Sequence, residues 1–507
     1  MNAALVSVDG PVSLGIRYLS SKLKADGHKV KLIFIPYSTG EFYSKEVLNG
    51  LREISANSDI VGISSMAYSL KKAIQIAAFV KNLGIPVIWG GVFPTVCPEF
   101  CIKYADMICI GEGEEAISDL LNKMEQGIDF RNTMNFFFNE SNKIIRNPVR
   151  PLIKNLDALP FPDYDLTTQY IFEDNKFVLM EEKYFLGADR RFGGFTVFNM
   201  RGCPYSCTYC INNTLKELYP NQKIIRKNSI EYVIRQMKEI KKIFPLVERI
   251  RIDDDTFFIR SLEELRNFSG LYKKEIDLPF ECNADPLTIN DEKMEILVNS
   301  GLKHIVLGIQ TGSRRINEEI FVRPFSREIS LRAAKIINKY HNKVEVTYDF
   351  IVLNPFEKEE DIMQTLDLIV ELPKPFYLSI NCMAFFPGSR IYDLALEKGI
   401  KHNRLAFAQK GNWTSLGEIR KINHRTQDKY LNLIMLLIGG EVNSSRYGKL
   451  PIGLFNFLMG KNMIRLFNRN LEFITFGFIE VIKLLIFVIV RVVPRKMART
   501  IKRLFSS

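Results

Sequence analysis

Nothing at the start of the chain reads as an export signal. Met1 runs into Ala3-Ala4-Leu5-Val6, but Asp9 follows at once, so the short apolar run reads as a first buried strand. Cysteine is sparse, eight in 507 residues, and three of the eight fall between positions 203 and 210. A disulfide framework would need a small chain dense in cysteine; this clustering favours metal over disulfide and implies a reducing cytoplasm. No internal repeat and no low-complexity tract interrupts the chain. Near the carboxyl end the longest uncharged apolar run is shorter than the roughly 20 residues of a spanning helix. Histidine is also rare, at five.

What remains is a packed globular chain with 47% hydrophobic and 25% charged residues, long enough for two or three domains. The net charge of +12 is unevenly placed. Residues 401–507 hold 19 Lys and Arg against 5 Asp and Glu, a local +14, and the first 400 residues carry −2. Uniform basicity would suggest nucleic acid. A basic tail on a near-neutral body suggests instead one attractive surface, for a membrane or another anion.

Residues 1–130 alternate strand-like runs with helical spacing. The strands are Leu5-Val6, Val30 to Ile35, Ile60 to Ile63, Pro86 to Trp89 and Met107 to Ile110. Helices are expected over Leu14 to Ala25, Glu46 to Ser55, Leu70 to Leu83 and Glu114 to Glu125. Such alternation predicts a doubly wound parallel sheet whose ligands sit at the carboxyl ends of the strands. Residues 131–190, rich in Asn and then Pro, read as a linker. Over 191–400 a second alternation gives about six βα units, a (β/α)6 partial TIM barrel, and 401–507 form a helical, basic, amphipathic extension. The fold class is therefore α/β throughout the first 400 residues.

Cys203-x3-Cys207-x2-Cys210 follows the first barrel strand directly. Three close thiolates can hold three irons of a 4Fe–4S cluster and leave the fourth iron open to chelate a methionine moiety. The competing reading is a zinc knuckle completed by a distant Cys or His. The stretch Arg201 to Cys210 resembles the signature of the radical S-adenosylmethionine enzymes, whose mark is this three-cysteine spacing. Later segments match in order: Arg251 to Phe257, Asn283 and Asp285 after the third strand, and Gly308 to Ser313 at the fourth. The resemblance implies that Tyr209, Asp254, Asn283, Asp285, Gln310 and Thr311 touch S-adenosylmethionine, beside a cluster on Cys203, Cys207 and Cys210. Gln310 stands where the family often has Glu, and Asn354-Pro355 departs from the usual Gly-Pro turn; Pro387-Gly388-Ser389 fits.

The first domain resembles the cobalamin-binding domain that precedes the radical barrel in one large subgroup. Val87 to Thr95, the Gly111-Glu112-Gly113-Glu114 run, Ser64-x-Met66 and the phrase Leu156-Asp157-x-Leu159-Pro160-Phe161-Pro162 carry that resemblance. It implies that Ser64, Met66, Gly90, Gly91, Gly111 and Glu112 line the cobalamin site, because strand-end glycines admit a large ligand close to the backbone. Other cobalamin proteins use Asp-x-His-x-x-Gly to ligate cobalt from below. Here Asp9 to Gly15 contains no histidine, and His28 reads as a surface or cap residue. Cys97, Cys101 and Cys109 read as small buried hydrophobes; Cys282 and Cys382 either pack or face substrate; His304 and His341 read as structural.

In Leu471 to Val493 the four charges Glu472, Glu480, Lys483 and Arg491 fall within one sector of about 100° at 100° per residue. Arg495, Lys496, Arg499, Lys502 and Arg503 follow. This describes either an interfacial helix on an anionic bilayer, making 471–507 a peripheral membrane contact, or a helix packed against protein. The expected activity is cobalamin-dependent radical modification of an unactivated carbon, by methyl transfer, on a small molecule or a lipid such as an isoprenoid. Ring or C–C bond formation on a lipid or tetrapyrrole is the first rival and RNA modification the second. An apolar, amphipathic tail does not suit RNA, so no nucleic acid is expected as a partner. The external electron donor would be a ferredoxin or flavodoxin. The expected location is cytoplasmic, with the tail against the inner face of the membrane.

Overall fold

The computed structural model describes residues 1–10, 13–38, 40–140, 143–186 and 194–400. It has two compact units. The first holds Met1–Asn283, Asn299–Leu302 and the stretch from Ala384; the second holds Ala284–Val298 and Lys303–Met383. The tail expectations on 401–507 lie outside the described residues.

In the first unit, β1 (Asn2–Val8), β2 (Lys29–Ile35), β3 (Ile60–Ser64), β4 (Val87–Gly90) and β5 (Met107–Cys109) are parallel neighbours in the order β2-β1-β3-β4-β5. Each is a nearly continuous apolar run because helices cover both faces; six of the seven residues of β1 are buried. Between β1 and β3 the direction of winding reverses. That switch point opens a crevice at the strand carboxyl ends, where Asp9, Ser64 and Met66 stand.

Residues 131–190, expected as a linker, extend this sheet. β6 (Phe136–Glu140) and β7 (Lys143–Arg146) add to β5, while β8 (Gln169–Glu173) and β9 (Lys176–Leu179) add beyond β2, making nine strands. The segment is pinned by helix Leu14–Ala25. Arg17, fully buried, donates to Gln169 Oε1 (2.5 Å) and the Asp163 carbonyl (3.0 Å) and lies over the rings of Phe34 and Phe185, each 4.4 Å away. Asp157, in the proline phrase, accepts from Asn228 Nδ2 (2.9 Å) and Ser229 N (3.0 Å) at the start of helix Ile230–Ile243. Its Asn and Pro content suits irregular joints, but the short alternating runs between them satisfy sheet edges.

The remainder of the first unit begins the second alternation. β10 (Phe195–Val197) leads into a small antiparallel ladder of β11 (Met200–Arg201) with β12 (Arg226–Lys227). β13 (Ile250–Ile252) pairs in parallel with β10 and with β14 (Phe280–Ala284). Phe195, Phe244, Phe185 and Tyr164 pack as one aromatic cluster beneath β10. The second unit carries β15 (Leu302–Gln310), β16 (Glu345–Val352) and β17 (Tyr377–Cys382), all parallel, each followed by a helix or helical turn. Six strands thus alternate with helices in the expected sequence, and the α/β class holds.

For His28 the cap alternative holds and the surface one does not: its backbone N–H donates to the Leu23 carbonyl (3.0 Å) at the end of helix Leu14–Ala25. The His28 side chain is fully buried, with Nδ1 3.2 Å from the Met1 amino nitrogen. Gly27, at φ +92°, ends the preceding helix and turns the chain inward at this point. His304 is buried and bonded to Thr347 Oγ1 at 2.8 Å, whereas His341 caps its own turn at the surface. Cys101, Cys109 and Cys282 are buried. Among the described residues no helix is long and apolar enough to cross a membrane.

Candidate functional site

The cysteine loop lies between β11 and helix Ile211–Leu218, whose N-cap is Cys210. Gly202, at φ +85°, has to be glycine: a Cβ there would press into the Ile224 carbonyl and sit 2.7 Å from its side chain. Inside the loop, Cys210 N donates to the Cys207 carbonyl (3.0 Å), folding the last two cysteines into one turn. From outside, Ile391 N donates to the Thr208 carbonyl (2.9 Å), and Lys216 Nζ reaches the Tyr205 carbonyl.

Cys203, Cys207 and Cys210 are all free thiols, and those of Cys207 and Cys210 lie near enough to Cys203 to bear on its ionisation. Burial pushes Cys203 up to about 12 and Cys210 up to about 11, each opposed by hydrogen bonds from backbone N–H groups of Tyr205 and Asn212. Iron reverses that balance, because a bound cation stabilises the thiolate that burial disfavours. Among the described residues no three Cys, His, Asp or Glu side chains gather as they would round a single ion. A cluster asks for a wider triangle, since each thiolate takes a different iron. The donor set, three thiolates with N–H groups turned towards the sulfurs, suits such a cluster.

Beside this loop stands the end of β13. Asp254 is wholly buried and accepts from Asn199 N at 2.6 Å. Burial raises it to about 7, against the pull of the Arg260 guanidinium. Arg260, itself buried, donates to the carbonyls of Asn228 and Asn199. Asp254 Oδ2 and both amide ends of Asn199 are buried without hydrogen-bond partners, so unspent polar capacity lies at this strand end. Asp255, raised by burial, is held by Asn212 Nδ2 (2.9 Å) and faces the thiols of Cys203 and Cys210. Asn283 donates to Asp253 Oδ1 (3.0 Å) and the Asp254 carbonyl (3.1 Å), which brings two expected adenosylmethionine residues together.

The buried carboxyl of Asp254 has a consequence for pH. The folded protein holds the Asp254 proton up to about pH 7, while an ordinary aspartate releases it near 3.8. Over that window the folded state binds more protons than the unfolded, so stability falls as pH rises, by about 1.4 kcal/mol per unit at most. Asp254→Asn is expected to remove this contribution. Melting curves of apoprotein and variant between pH 4 and pH 8 would show it as a difference that grows towards pH 7; parallel curves would refute it.

At the amino-terminal crevice, Gly91 sits at φ +99°, ψ −168°, where a side chain is strained. Its Cβ would lie 3.1 Å from the Ser65 carbonyl and 3.2 Å from Ser64 Oγ, so Gly91 and Ser64 meet. Trp89 Nε1 donates to Ser65 Oγ (2.9 Å), fixing β4 against β3 at this level. Met66 is 44% exposed at the crevice rim. Asp9, at φ +54°, is committed: Lys72 Nζ lies 2.9 Å from Oδ1, Tyr43 OH donates to the same oxygen (2.9 Å), and both charged side chains are buried. Its carboxylate is therefore satisfied within the protein. The glycine cradle suits a broad ligand held by backbone contact.

Gly111 and Glu112 occupy a different place from Gly91, although Thr95 joins them: its Oγ1 donates to the Gly91 carbonyl (2.8 Å) and accepts from Gly111 N (3.1 Å). Glu112 is turned towards the cysteine loop. It accepts from Arg201 Nη1 (2.9 Å), Arg226 Nη1 and Nη2 (2.9 and 2.8 Å) and Ile153 N (3.0 Å). Burial would raise its carboxyl, yet those guanidiniums hold it below the ordinary value. Arg201 Nη2 also donates to Glu114 (2.5 Å), and its guanidinium lies over the Tyr18 ring. Sequence reasoning missed Arg201, Arg226, Arg260 and Asn199; the only local signal was the pair of glutamates without a partner in sequence.

In the second unit, Asp285 accepts from Leu287 N, Thr288 N and Thr288 Oγ1, shaping the turn ahead of helix Asp291–Ser300. Gln310 lies at a bulge in the β15–β16 register with φ +72°. Buried Arg323 braces that bulge through the carbonyls of Ile309 (2.6 Å) and Gly308 (2.9 Å). Thr311 is 1% exposed and pairs with Thr365 Oγ1 (3.0 Å), so its hydroxyl closes the strand onto helix Glu359–Glu371. Tyr209 is half-buried within the cysteine loop.

Two family models match. The B12 binding domain covers residues 4–121 and the Radical SAM superfamily residues 199–369. Over 436 residues the chain is 25% identical to an uncharacterized methyltransferase of Pyrococcus horikoshii, covering 85% of this chain and 87% of that one. It is 21% identical to the cytidylyl-2-hydroxyethylphosphonate methyltransferase of Streptomyces wedmorensis, over 62% of this chain and 64% of the relative. Among solved structures, the methyltransferase TsrM of Kitasatospora setae, with cobalamin and a [4Fe–4S] cluster bound, shares the fold at TM-score 0.60 and 15% identity, over 78% and 75% of the two chains. The cobalamin-dependent enzyme OxsB with aqua-cobalamin does so at 0.63 and 16%, over 92% and 76%.

Proposed function

Because the chain belongs to the radical S-adenosylmethionine enzymes that carry an amino-terminal B12-binding domain, and so works with a 4Fe–4S cluster, S-adenosylmethionine and cobalamin, we propose that it transfers a methyl group to an unactivated carbon of a hydrophobic substrate. The observation that carries methyl transfer is the likeness, across both domains and 85% of the chain, to a protein named a methyltransferase. When bound, a cluster on these cysteines would supply an electron for cleaving the sulfonium of adenosylmethionine, and cobalamin in the amino-terminal crevice would supply the methyl group.

The chain's own residues then have distinct tasks. Cys203, Cys207 and Cys210 would hold the cluster. Asn283 and the Asp254 strand end would offer polar atoms to adenosylmethionine; Gln310, at the end of β15, lacks the charge a glutamate would bring. Gly91, with Ser64 and Met66, admits cobalamin at the crevice. Reducing equivalents come from an external ferredoxin or flavodoxin.

The deciding experiment is anaerobic incubation with reductant, methyl-labelled S-adenosylmethionine and a cell lipid extract, followed by mass spectrometry. A lipid that gains the labelled methyl, with 5′-deoxyadenosine formed alongside, supports the proposal. A new lipid without label points to ring or C–C bond formation instead.

The preference for a lipid comes from the basic, amphipathic 471–507 segment. Each basic residue near an anionic surface contributes about 1 kcal/mol, to which its apolar face adds. The protein is expected to co-sediment with anionic liposomes, less so in high salt, and truncation at Arg469 is expected to abolish this while leaving adenosylmethionine cleavage. Full-length protein that ignores liposomes, together with a truncated form that unfolds, would assign the segment to protein packing and remove the support for a membrane-borne substrate.

A further inference from the structure

Within the cysteine loop, Cys210 N donates to the Cys207 carbonyl and the Tyr205 N–H is turned to the Cys203 sulfur. A loop of this kind takes its geometry from whatever fixes its two ends. At the entering end stands Arg201, two residues before Cys203; at the leaving end, helix Ile211–Leu218 runs rigidly from Cys210 to Tyr219.

One residue of the amino-terminal domain reaches both. The Glu112 carboxylate accepts from Arg201 Nη1 (2.9 Å), and the Glu112 backbone N–H donates to Tyr219 OH (3.1 Å). The same carboxylate takes two bonds from Arg226, the register partner of Arg201 across the β11–β12 ladder, so it clamps both strands of that ladder. Gly111 is needed beside it: at φ +75° its absent side chain makes room for the Tyr219 hydroxyl, which a Cβ would overlap. The turn is braced from behind by buried Asn135, whose Nδ2 donates to the carbonyls of Ile110 (2.6 Å) and Glu112 (3.2 Å). It is tied to the crevice through Thr95 and Gly91. Carboxylate–guanidinium bonds of this kind are directional and bidentate, suited to fixing position as well as adding attraction.

We infer that Glu112 is a positioning residue for the iron–sulfur loop, supplied by the B12-binding domain, so that the geometry of the cluster's thiolates is set from the neighbouring cofactor's domain. This rests on the radical S-adenosylmethionine reading and adds to it a role for Glu112 that is neither iron nor cobalamin ligation. The consequence falls on the open iron. Thiolate ligands displaced by a fraction of an ångström still hold iron, but they shift where adenosylmethionine chelates relative to the bond that must break.

The test uses full-length, anaerobically reconstituted Glu112→Ala, Glu112→Gln and, as a control on an exposed neighbour in the same turn, Glu115→Gln. Iron content, the electron paramagnetic resonance spectrum of the reduced cluster with and without adenosylmethionine, and 5′-deoxyadenosine formation are measured on each. Glu112→Ala should retain iron yet lose most of the spectral change that adenosylmethionine causes, with cleavage falling on the order of a hundredfold, the scale of a 1 Å misplacement. Glu112→Gln, which keeps an oxygen acceptor without the charge, should lie between, and Glu115→Gln should match wild type. If Glu112→Ala does not fold or takes up no iron, Glu112→Gln and Arg201→Lys decide by the same spectrum. Wild-type spectra and cleavage in the folded Glu112 variants overturn the inference. A wild-type protein that forms no cluster and cleaves no adenosylmethionine overturns the underlying reading, and this inference with it.

Discussion

Alanine at Cys203, Cys207 and Cys210 together is expected to erase the iron–sulfur chromophore and reduce 5′-deoxyadenosine formation to the level without enzyme. The thiols are buried or half-buried, and burial alone keeps Cys203 and Cys210 protonated well above neutral pH. Iron must displace those protons, so cluster assembly releases protons and is favoured as pH rises. Without the sulfurs nothing else in the loop replaces them: its other side chains are Pro204, Tyr205, Ser206, Thr208 and Tyr209. Iron and sulfide analysis, the visible spectrum and chromatography of the adenosine products provide the measurement. Cys282→Ala is the matched control, a buried thiol packed in β14, and should keep both properties. A triple variant that still carries the chromophore and cleaves adenosylmethionine would sink the cluster assignment.

Substitution at Gly91 is expected to cost the protein both stability and cobalamin, and substitution at Gly90 only the second. Both glycines end β4, but their backbones differ. Gly91 lies in a region of φ and ψ that only glycine occupies freely, and an added Cβ would crowd the Ser65 backbone at 3.1 and 3.3 Å. Gly91→Ala should therefore destabilise by about 1–3 kcal/mol and displace the Ser64-Ser65 strand end with it. At Gly90 the added Cβ meets Cys109 Cβ at 3.5 Å, an ordinary contact on an ordinary backbone. Gly90→Ala should melt like wild type; any loss of hydroxocobalamin uptake then reports the slot itself rather than the fold. Thermal melting and absorbance titration distinguish the two. If Gly91→Ala melts and binds as wild type does, the cradle is not where cobalamin enters. If wild type takes up no cobalamin, the crevice serves another ligand and methyl transfer falls.

Alanine at Glu112 extends the same logic from cofactor contact to cofactor placement, and it shows where sequence reading stops. The cysteine motif was legible because it rests on local spacing alone: three thiols fall within eight residues of one loop. The strand–helix alternation was legible for a similar reason. β1 to β5, β10 and β13 to β17 are short, largely apolar runs bounded by polar turns, and burial on both faces leaves that pattern in any chain that folds so. Gly90, Gly91 and the Gly-Glu-Gly-Glu run stood out as glycines at strand ends.

Their separate roles did not. Gly91 meets Ser64 and Ser65 across the β3–β4 boundary, whereas Gly111 meets Tyr219, 108 positions along the chain. The strands within residues 131–190 were hidden too, since edge strands of a few residues carry too little pattern to stand out from proline-rich joints. The burial of the His28 side chain was not legible, because a turn at Gly27, not its own polarity, sends it inward. The Asp9–Lys72 pair, 63 positions apart, and the partners of Glu112 lie beyond any local rule. By itself, then, the sequence determined the alternating strands and helices of both sheets, their order and the three-cysteine spacing, because each depends on neighbours along the chain. Only tertiary structure decided which glutamate, arginine and tyrosine meet at the cysteine loop, because buried charges find partners by proximity in space, and spacing along the chain does not encode it.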